Sequence, residues 1–114
     1  MRIAALVLLG AILGGCDRSP AISARYYYGG EVNVVCPCSG GKCYWVRAEP
    51  AIGNRLKDFV MRQTGQPYQA VYLRFHGHLL YEPGVGFAAN YDGLMSVTEV
   101  LTLTTEIPAS CPDP

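Results

Sequence analysis

An apolar leader that ends in a cysteine occupies the first sixteen residues of this 114-residue chain. Met1 and Arg2 give a short positive start, and an apolar run follows from Ile3 to Leu13. This layout is typical of an export signal. The run is too short to cross a bilayer as a helix, which needs about 20 apolar residues. Once such a leader is removed, the remaining chain is long enough for one small domain.

The leader closes on Leu13-Gly14-Gly15-Cys16, which resembles a bacterial lipobox. The resemblance implies transfer of a diacylglyceryl group to the Cys16 thiol, cleavage before Cys16 and acylation of the new amino terminus. Acyl chains hold a protein at a membrane with about 0.8 kcal/mol per buried CH₂ group. We therefore expect a domain that is anchored in the bacterial envelope and faces the periplasm. Either the inner or the outer membrane is compatible with this signal.

The chain divides into a signal peptide (residues 1–15), a lipidated tether (16–24) and a globular domain (25–114). The tether is short and polar and shows no periodicity, as linkers do. Nine basic and nine acidic side chains give the whole chain no net charge. Binding to nucleic acid requires a basic face. The expected partners are therefore the membrane, reached through the lipid, and an envelope protein, but not a nucleic acid.

Alternation of apolar and polar side chains predicts about five strands, and a helical period predicts one helix. The predicted extended segments are residues 26–28, 31–36, 43–48, 69–81 and 95–105. Residues 31–48 are expected to form a hairpin, and Trp45 is expected in the core. The helix begins at Pro50 and ends at Gly65, and residues 82–93 form a glycine-rich loop. These elements indicate a small closed or partly open β-barrel.

Several short motifs occur together in this domain. They are Gly30-Glu31-Val32, Pro37-Cys38, Tyr44-Trp45-Val46, Val71-Tyr72-Leu73-Arg74, Gly77 and Cys111. Together they resemble the C-terminal OB-like domain of the NlpE group, envelope lipoproteins tied to copper homeostasis and envelope-stress signalling. The resemblance implies a mainly β fold, a small five-stranded OB-like Greek-key barrel with one helix.

Two features depart from the NlpE group. The chain has no room for the group's N-terminal domain with its Cys-x-x-Cys motif, so the resemblance covers the barrel alone. The predicted helix follows the second predicted strand, whereas an OB fold usually places it after the third. A further strand within residues 26–36 would restore the usual order.

Four cysteines remain for the domain when Cys16 carries lipid, namely Cys36, Cys38, Cys43 and Cys111. An even number in an oxidising compartment predicts two disulfides. Cys36 and Cys38 lie on the same side of one strand, so a bond between them would be strained. Two pairings remain.

The turn between the hairpin strands decides the pairing. A two-residue turn at Gly40-Gly41 would place Cys38 opposite Cys43, and turn chemistry favours this choice. A turn at Ser39-Gly40 would place Cys36 opposite Cys43. The resemblance favours this second arrangement, because the family's recurring cysteine falls at Cys38. On that ground we adopt the pairs Cys38–Cys111 and Cys36–Cys43.

A copper site is the alternative use of the same thiols. Cys36, Cys38 and Cys43 would bring three soft ligands to one hairpin, and thiolates suit Cu(I). His76 and His78 could add nitrogen ligands from one strand. The spacing is not that of a zinc finger, and an oxidising compartment competes for free thiols.

We recognise no acid–base pair, nucleophile triad or nucleotide-binding loop in the sequence. The prediction is therefore a non-catalytic, membrane-anchored envelope lipoprotein that needs no cofactor. Its OB-like domain would bind a partner or sense a condition, with a link to envelope stress. The alternatives are a periplasmic copper-binding lipoprotein and a lipoprotein with a structural or assembly role.

Overall fold

The computed structural model describes residues 20–114. The predicted signal peptide and the lipidation at Cys16 therefore lie outside the described residues. Five strands close into a barrel in the order β1-β2-β3-β5-β4. The strands are β1 (Ile22–Gly29), β2 (Val32–Pro37), β3 (Tyr44–Arg47), β4 (Val71–Leu80) and β5 (Leu94–Thr104). The α-helix is α1 (Pro50–Thr64), and a 3₁₀-helix spans Gly86–Asn90 within the predicted loop.

The strand pairing is that of an OB-like barrel. β1 pairs antiparallel with both β2 and β4, and β4 pairs antiparallel with β5. A parallel pair between β3 and β5 completes the closure. α1 connects β3 to β4, so it follows the third strand, as in other OB folds. The predicted five-stranded OB-like barrel with one α-helix is confirmed for residues 20–114.

The third strand before the helix comes from residues 26–36, which contain the end of β1 and most of β2. The chain reverses at Gly30 and Glu31, and Gly29 lies opposite Val32. Gly30 and Glu31 therefore separate two strands within this segment. This turn restores the usual OB order.

The barrel begins earlier than expected, because β1 starts at Ile22. Ala24 is fully buried and lies between Pro37 of β2 and Leu73 of β4. Residues 22–24 thus belong to the domain, and the expected tether boundary at residue 24 is too late. The misleading signal was polarity, since Ser23 and Arg25 alternate with inward residues along β1.

α1 forms as its sequence predicts. Pro50 occupies the first turn, where its missing N–H is not needed. Gly65 ends the helix in the left-handed conformation (φ 75°), and its N–H bonds to the Met61 carbonyl. Leu56 and Val60, one turn apart, are fully buried against the barrel. Burial of side chains of this size contributes about 1.5–3 kcal/mol each.

The core fills the barrel and extends to α1. Its buried members come from all five strands and from α1: Ala24, Tyr26, Val35, Val46, Leu56, Val60, Val71, Leu73, Phe75, Met95 and Val97. No helix within residues 20–114 is long and apolar enough to span a membrane.

The two ends of the barrel carry different segments. Ile22 lies opposite Phe75, and β4 continues past this point to Leu80. The β2–β3 loop (residues 38–43) and the β4–β5 loop (residues 81–93) therefore lie at the end where the chain enters β1. We call this the tether end. α1 connects strands at the opposite end.

Candidate functional site

Two disulfides join the four cysteines of the barrel. Cys36 bonds to Cys43 and Cys38 bonds to Cys111, with Cα atoms 4.2 and 4.4 Å apart. This is the pairing that the resemblance implied. The register explains the shorter bridge, because Val35 lies opposite Tyr44 and the next residues outward are Cys36 and Cys43.

The pairing favoured by turn chemistry is wrong because β1 holds Cys38. The backbone N–H of Cys38 donates to the Ser23 carbonyl at 2.8 Å, which holds Cys38 beside β1. The chain turns immediately afterwards, where the N–H of Gly40 donates to the Pro37 carbonyl at 2.9 Å. Gly40 and Gly41 both adopt positive φ, but they do not form a two-residue hairpin. Cys38 is left free to bond to the C-terminal segment.

The C-terminal segment is fixed across the outside of β1 by Arg25 and the longer disulfide. The Arg25 Nε donates to the Cys111 carbonyl at 3.0 Å, and its Nη1 lies 2.7 Å from Asp113 Oδ1. Cys111 is 1% exposed. The final residues of the chain therefore form part of the folded domain.

The β4–β5 loop is attached to the start of β3 by backbone and side-chain bonds. The N–H of Cys43 donates to Asp92 Oδ2 at 2.8 Å, and the N–H of Asp92 donates to the Cys43 carbonyl at 2.9 Å. The N–H of Trp45 also donates to the Gly93 carbonyl at 2.9 Å. The Tyr91 and Trp45 rings are 5.8 Å apart between centroids. This loop thus has a defined position on the barrel.

Trp45 is half-buried on the outer surface, so its predicted place in the core is wrong. In register it lies between Val34 of β2 and Leu94 of β5, both buried without belonging to the main core cluster. Tyr91 of the β4–β5 loop lies against Trp45 in this row. In many OB folds this face and its loops bind oligonucleotides or oligosaccharides. Here Tyr91 and the Cys36–Cys43 bridge lie on this face.

The outer surface of the β4–β5 loop is apolar. Tyr81 is 98% exposed, Val85 is 85% exposed and Phe87 is 50% exposed. The loop has two acidic side chains, and both have partners. Glu82 lies 3.5 Å from Arg47, and Asp92 accepts the bond from Cys43. An ordered loop of this kind presents apolar surface with little net charge.

A groove of about 430 Å³ lies between the start of α1 and β5. Its walls mix charged, polar and apolar side chains: Arg47, Ala48, Glu49, Ile52, Ser96, Val97 and Thr98. The volume is within the range of small-ligand sites, about 300–1,000 Å³. This groove is a candidate binding site in the described part of the chain.

The proposed copper ligands are not brought together. The sulfurs of Cys36, Cys38 and Cys43 are all in disulfides, so the oxidised protein has no thiolate there. His76 lies on β4 with its Nε2 4.0 Å from Glu99 Oε1, and His78 is exposed opposite Ser96. No group of three or more potential metal ligands occurs in residues 20–114. Copper binding through these sulfurs would require the reduced protein.

Tyr26 is a buried titratable group that sequence reasoning missed. Its hydroxyl donates to Asn33 Oδ1 at 2.6 Å, between β1 and β2. Burial raises the pKa of Tyr26, and the nearby Tyr28 raises it further. Tyr26 therefore remains neutral in the folded protein and stabilises the barrel.

Sequence reasoning also missed the role of Asp92. The glycine-rich pattern of residues 82–93 predicted a loop without revealing that Asp92 pairs with Cys43 in the β2–β3 loop. Comparison of the chain with protein-family models, curated proteins and solved structures finds no match.

Proposed function

We propose that this chain is a bacterial envelope lipoprotein, anchored through lipid on Cys16, whose OB-like barrel is a non-catalytic binding or sensing domain. The proposal rests on the positions and bonding of the five cysteines. The four cysteines of the barrel pair with one another, and the fifth directly follows an apolar leader. Each set has a clear use in an exported protein: the pairs cross-link the domain and Cys16 receives lipid.

The stability of the barrel supports a location outside the cytoplasm. A disulfide that closes the long loop from Cys38 to Cys111 contributes about 4 kcal/mol in the chain-entropy model. Small domains have total stabilities of about 5–15 kcal/mol. A reducing compartment would remove much of this stabilisation, whereas the periplasm maintains it.

The groove between α1 and β5 is the candidate binding site for the envelope partner. Tyr91 and the Cys36–Cys43 bridge lie on the β2–β3 face used by many OB folds, whereas this groove is open and chemically mixed. A partner segment with one apolar and one polar side chain would complement Ile52 and Ser96. The resemblance to the NlpE group supports a link to envelope stress.

Mass spectrometry of the full protein purified from bacterial membranes tests the anchor. We expect loss of residues 1–15, acyl chains on Cys16 and two disulfides. The Cys16→Ala variant should lack acyl chains and leave the membrane fraction, while a Ser19→Ala control should match the wild type. A mature protein that retains Met1 and has every cysteine reduced would contradict the proposal.

Site-specific photo-crosslinking in intact bacteria tests the binding site. A photoreactive residue at Thr98, in the groove, should capture one envelope protein. The same residue at Gln66, exposed near the end of α1, is the matched control. Equal capture at both positions, or none at Thr98, would exclude the groove as the partner's site.

A further inference from the structure

We infer that the β4–β5 loop contacts the membrane, with Tyr81, Val85 and Phe87 in the interfacial layer of the bilayer that holds the lipid on Cys16. The inference rests on the proposed lipid anchor and adds an orientation to it. The barrel would stand with its tether end toward the bilayer.

The loop and the anchor lie at the same end of the barrel. The chain enters β1 at Ile22, opposite Phe75, and β4 extends five residues farther, to Leu80. The β4–β5 loop thus projects beyond the first residue of β1, in the direction from which the tether arrives. The membrane-attached part of the chain and the exposed apolar side chains face the same side.

The lengths of these two segments match. Five residues of strand span about 17 Å, or about 13 Å along the barrel axis at a typical tilt of about 40°. The six peptide steps from Cys16 to Ile22 can span at most about 20 Å by covalent geometry. A bilayer that holds Cys16 is therefore within reach of the loop.

The chemistry of the loop suits the interface between lipid and water. Tyrosine is enriched at this depth, because its ring is apolar and its hydroxyl stays hydrated. Tyr81 is 98% exposed, and Val85 and Phe87 add apolar surface beside it. Glu82 is paired with Arg47, so little unpaired negative charge would face anionic headgroups. Lys42, exposed on the β2–β3 loop at the same end, adds a positive side chain.

The loop is ordered before it meets a membrane. The two bonds between Asp92 and Cys43 hold one side of it, and buried Ala88 holds its middle. Val85 and Phe87 remain exposed even though the loop is attached to the barrel. A preorganised contact surface loses less conformational entropy on binding than a mobile one.

Fluorescence quenching in vesicles tests the orientation. The full acylated protein is placed in vesicles of phosphatidylethanolamine and phosphatidylglycerol, with and without brominated acyl chains. A tryptophan is introduced as Phe87→Trp, and Met61→Trp on α1 is the matched control, since Met61 is 43% exposed. The emission of Trp45 in the wild type is subtracted, and both variants must retain two disulfides.

We expect brominated lipid to quench the emission added by Phe87→Trp, which would lie at the depth where aromatic rings are enriched, and to leave that of Met61→Trp unchanged. Equal quenching of the two variants, or no quenching of Phe87→Trp in acylated protein, would overturn the inference. In that case the proposed lipid anchor is unaffected, and the β4–β5 loop would contact a protein partner instead of the membrane. Absence of acyl chains and of vesicle binding would overturn the proposed function itself.

Discussion

Asp92 and Cys43 hold each other through two hydrogen bonds, although they are far apart in the chain. One bond runs from the Cys43 N–H to the Asp92 carboxylate, and the other from the Asp92 N–H to the Cys43 carbonyl. Cys43 is also cross-linked to Cys36 of β2. The β4–β5 loop is thus connected through one residue to the β2–β3 hairpin, and the two loops of the tether end form one unit.

Asp92→Ala should loosen this unit. The substitution removes the acceptor for the Cys43 N–H, and we expect the free energy of unfolding to fall by about 0.5–1.5 kcal/mol, because the bond is exposed and water can replace the acceptor. Hydrogen exchange of residues 84–91 should become faster, while that of β1 should change little. Asp92→Asn is the control, because it keeps an oxygen acceptor and its free energy of unfolding should fall less than that of Asp92→Ala. Equal losses in both variants would show that the carboxylate has another role.

The two disulfides should contribute unequally to stability. Removing the bridge from Cys38 to Cys111 with a double alanine substitution should cost about 4 kcal/mol, because it releases a long loop in the unfolded chain. Removing Cys36–Cys43 in the same way should cost about 2.5 kcal/mol. Urea denaturation of the three proteins measures both values. Equal midpoints for the two variants would contradict this ranking.

Local patterns predicted the helix and most strands well. Pro50, the apolar spacing from Ile52 to Val60, and Gly65 together define one helical element without reference to the rest of the chain. The alternation through Val71, Leu73 and Phe75 identifies inward positions of β4 in the same way, and all three residues are buried. Signals of this kind depend on neighbours a few residues apart.

Contacts between distant segments escaped the same reasoning. Cys38 is held by Ser23 in β1, and this bond overrides the preference of Gly40 and Gly41 for a two-residue turn. Trp45 faces outward because side chains alternate along β3 and Val46 occupies the inward position, and Tyr91 of the β4–β5 loop lies against the indole ring. Local sequence does not encode which distant segment will supply such a partner.

Two glycine substitutions should change stability in opposite directions. A Cβ added at Gly77 would overlap the Ser96 carbonyl oxygen, at a β-bulge between β4 and β5. Gly77→Ala should therefore lower the free energy of unfolding by about 1–3 kcal/mol, the usual cost of overpacking. Gly53 lies within α1 and has open space at the same position.

Gly53→Ala should stabilise the protein by about 0.5–1 kcal/mol, because alanine favours the helix more than glycine does. Thermal or urea unfolding of both variants and the wild type shows whether each substitution raises or lowers the free energy of unfolding. Destabilisation by Gly53→Ala would mean that this face of α1 has a contact that alanine disturbs. An unchanged free energy of unfolding in Gly77→Ala would mean that the β-bulge shifts to make room for the added Cβ.

Tyr26 should make the barrel sensitive to alkaline pH. Its pKa is raised in the folded protein by burial and by Tyr28, whereas an exposed tyrosine ionises near pH 10. The stabilisation from neutral Tyr26 is complete below about pH 10 and is lost as pH rises further, by at most about 1.4 kcal/mol per pH unit, because only the unfolded chain releases the proton. Tyr26→Phe removes this dependence.

At neutral pH, Tyr26→Phe should cost about 1 kcal/mol, because Asn33 loses its donor. The difference in free energy of unfolding between wild type and variant should shrink between about pH 10 and pH 11, because the wild type loses the stabilisation from neutral Tyr26. Urea unfolding across this range measures it. Tyr81→Phe is the control for loss of a tyrosine hydroxyl outside the core, since Tyr81 is 98% exposed. A constant gap between wild type and Tyr26→Phe would mean that Tyr26 ionises as readily in the folded barrel as in the unfolded chain.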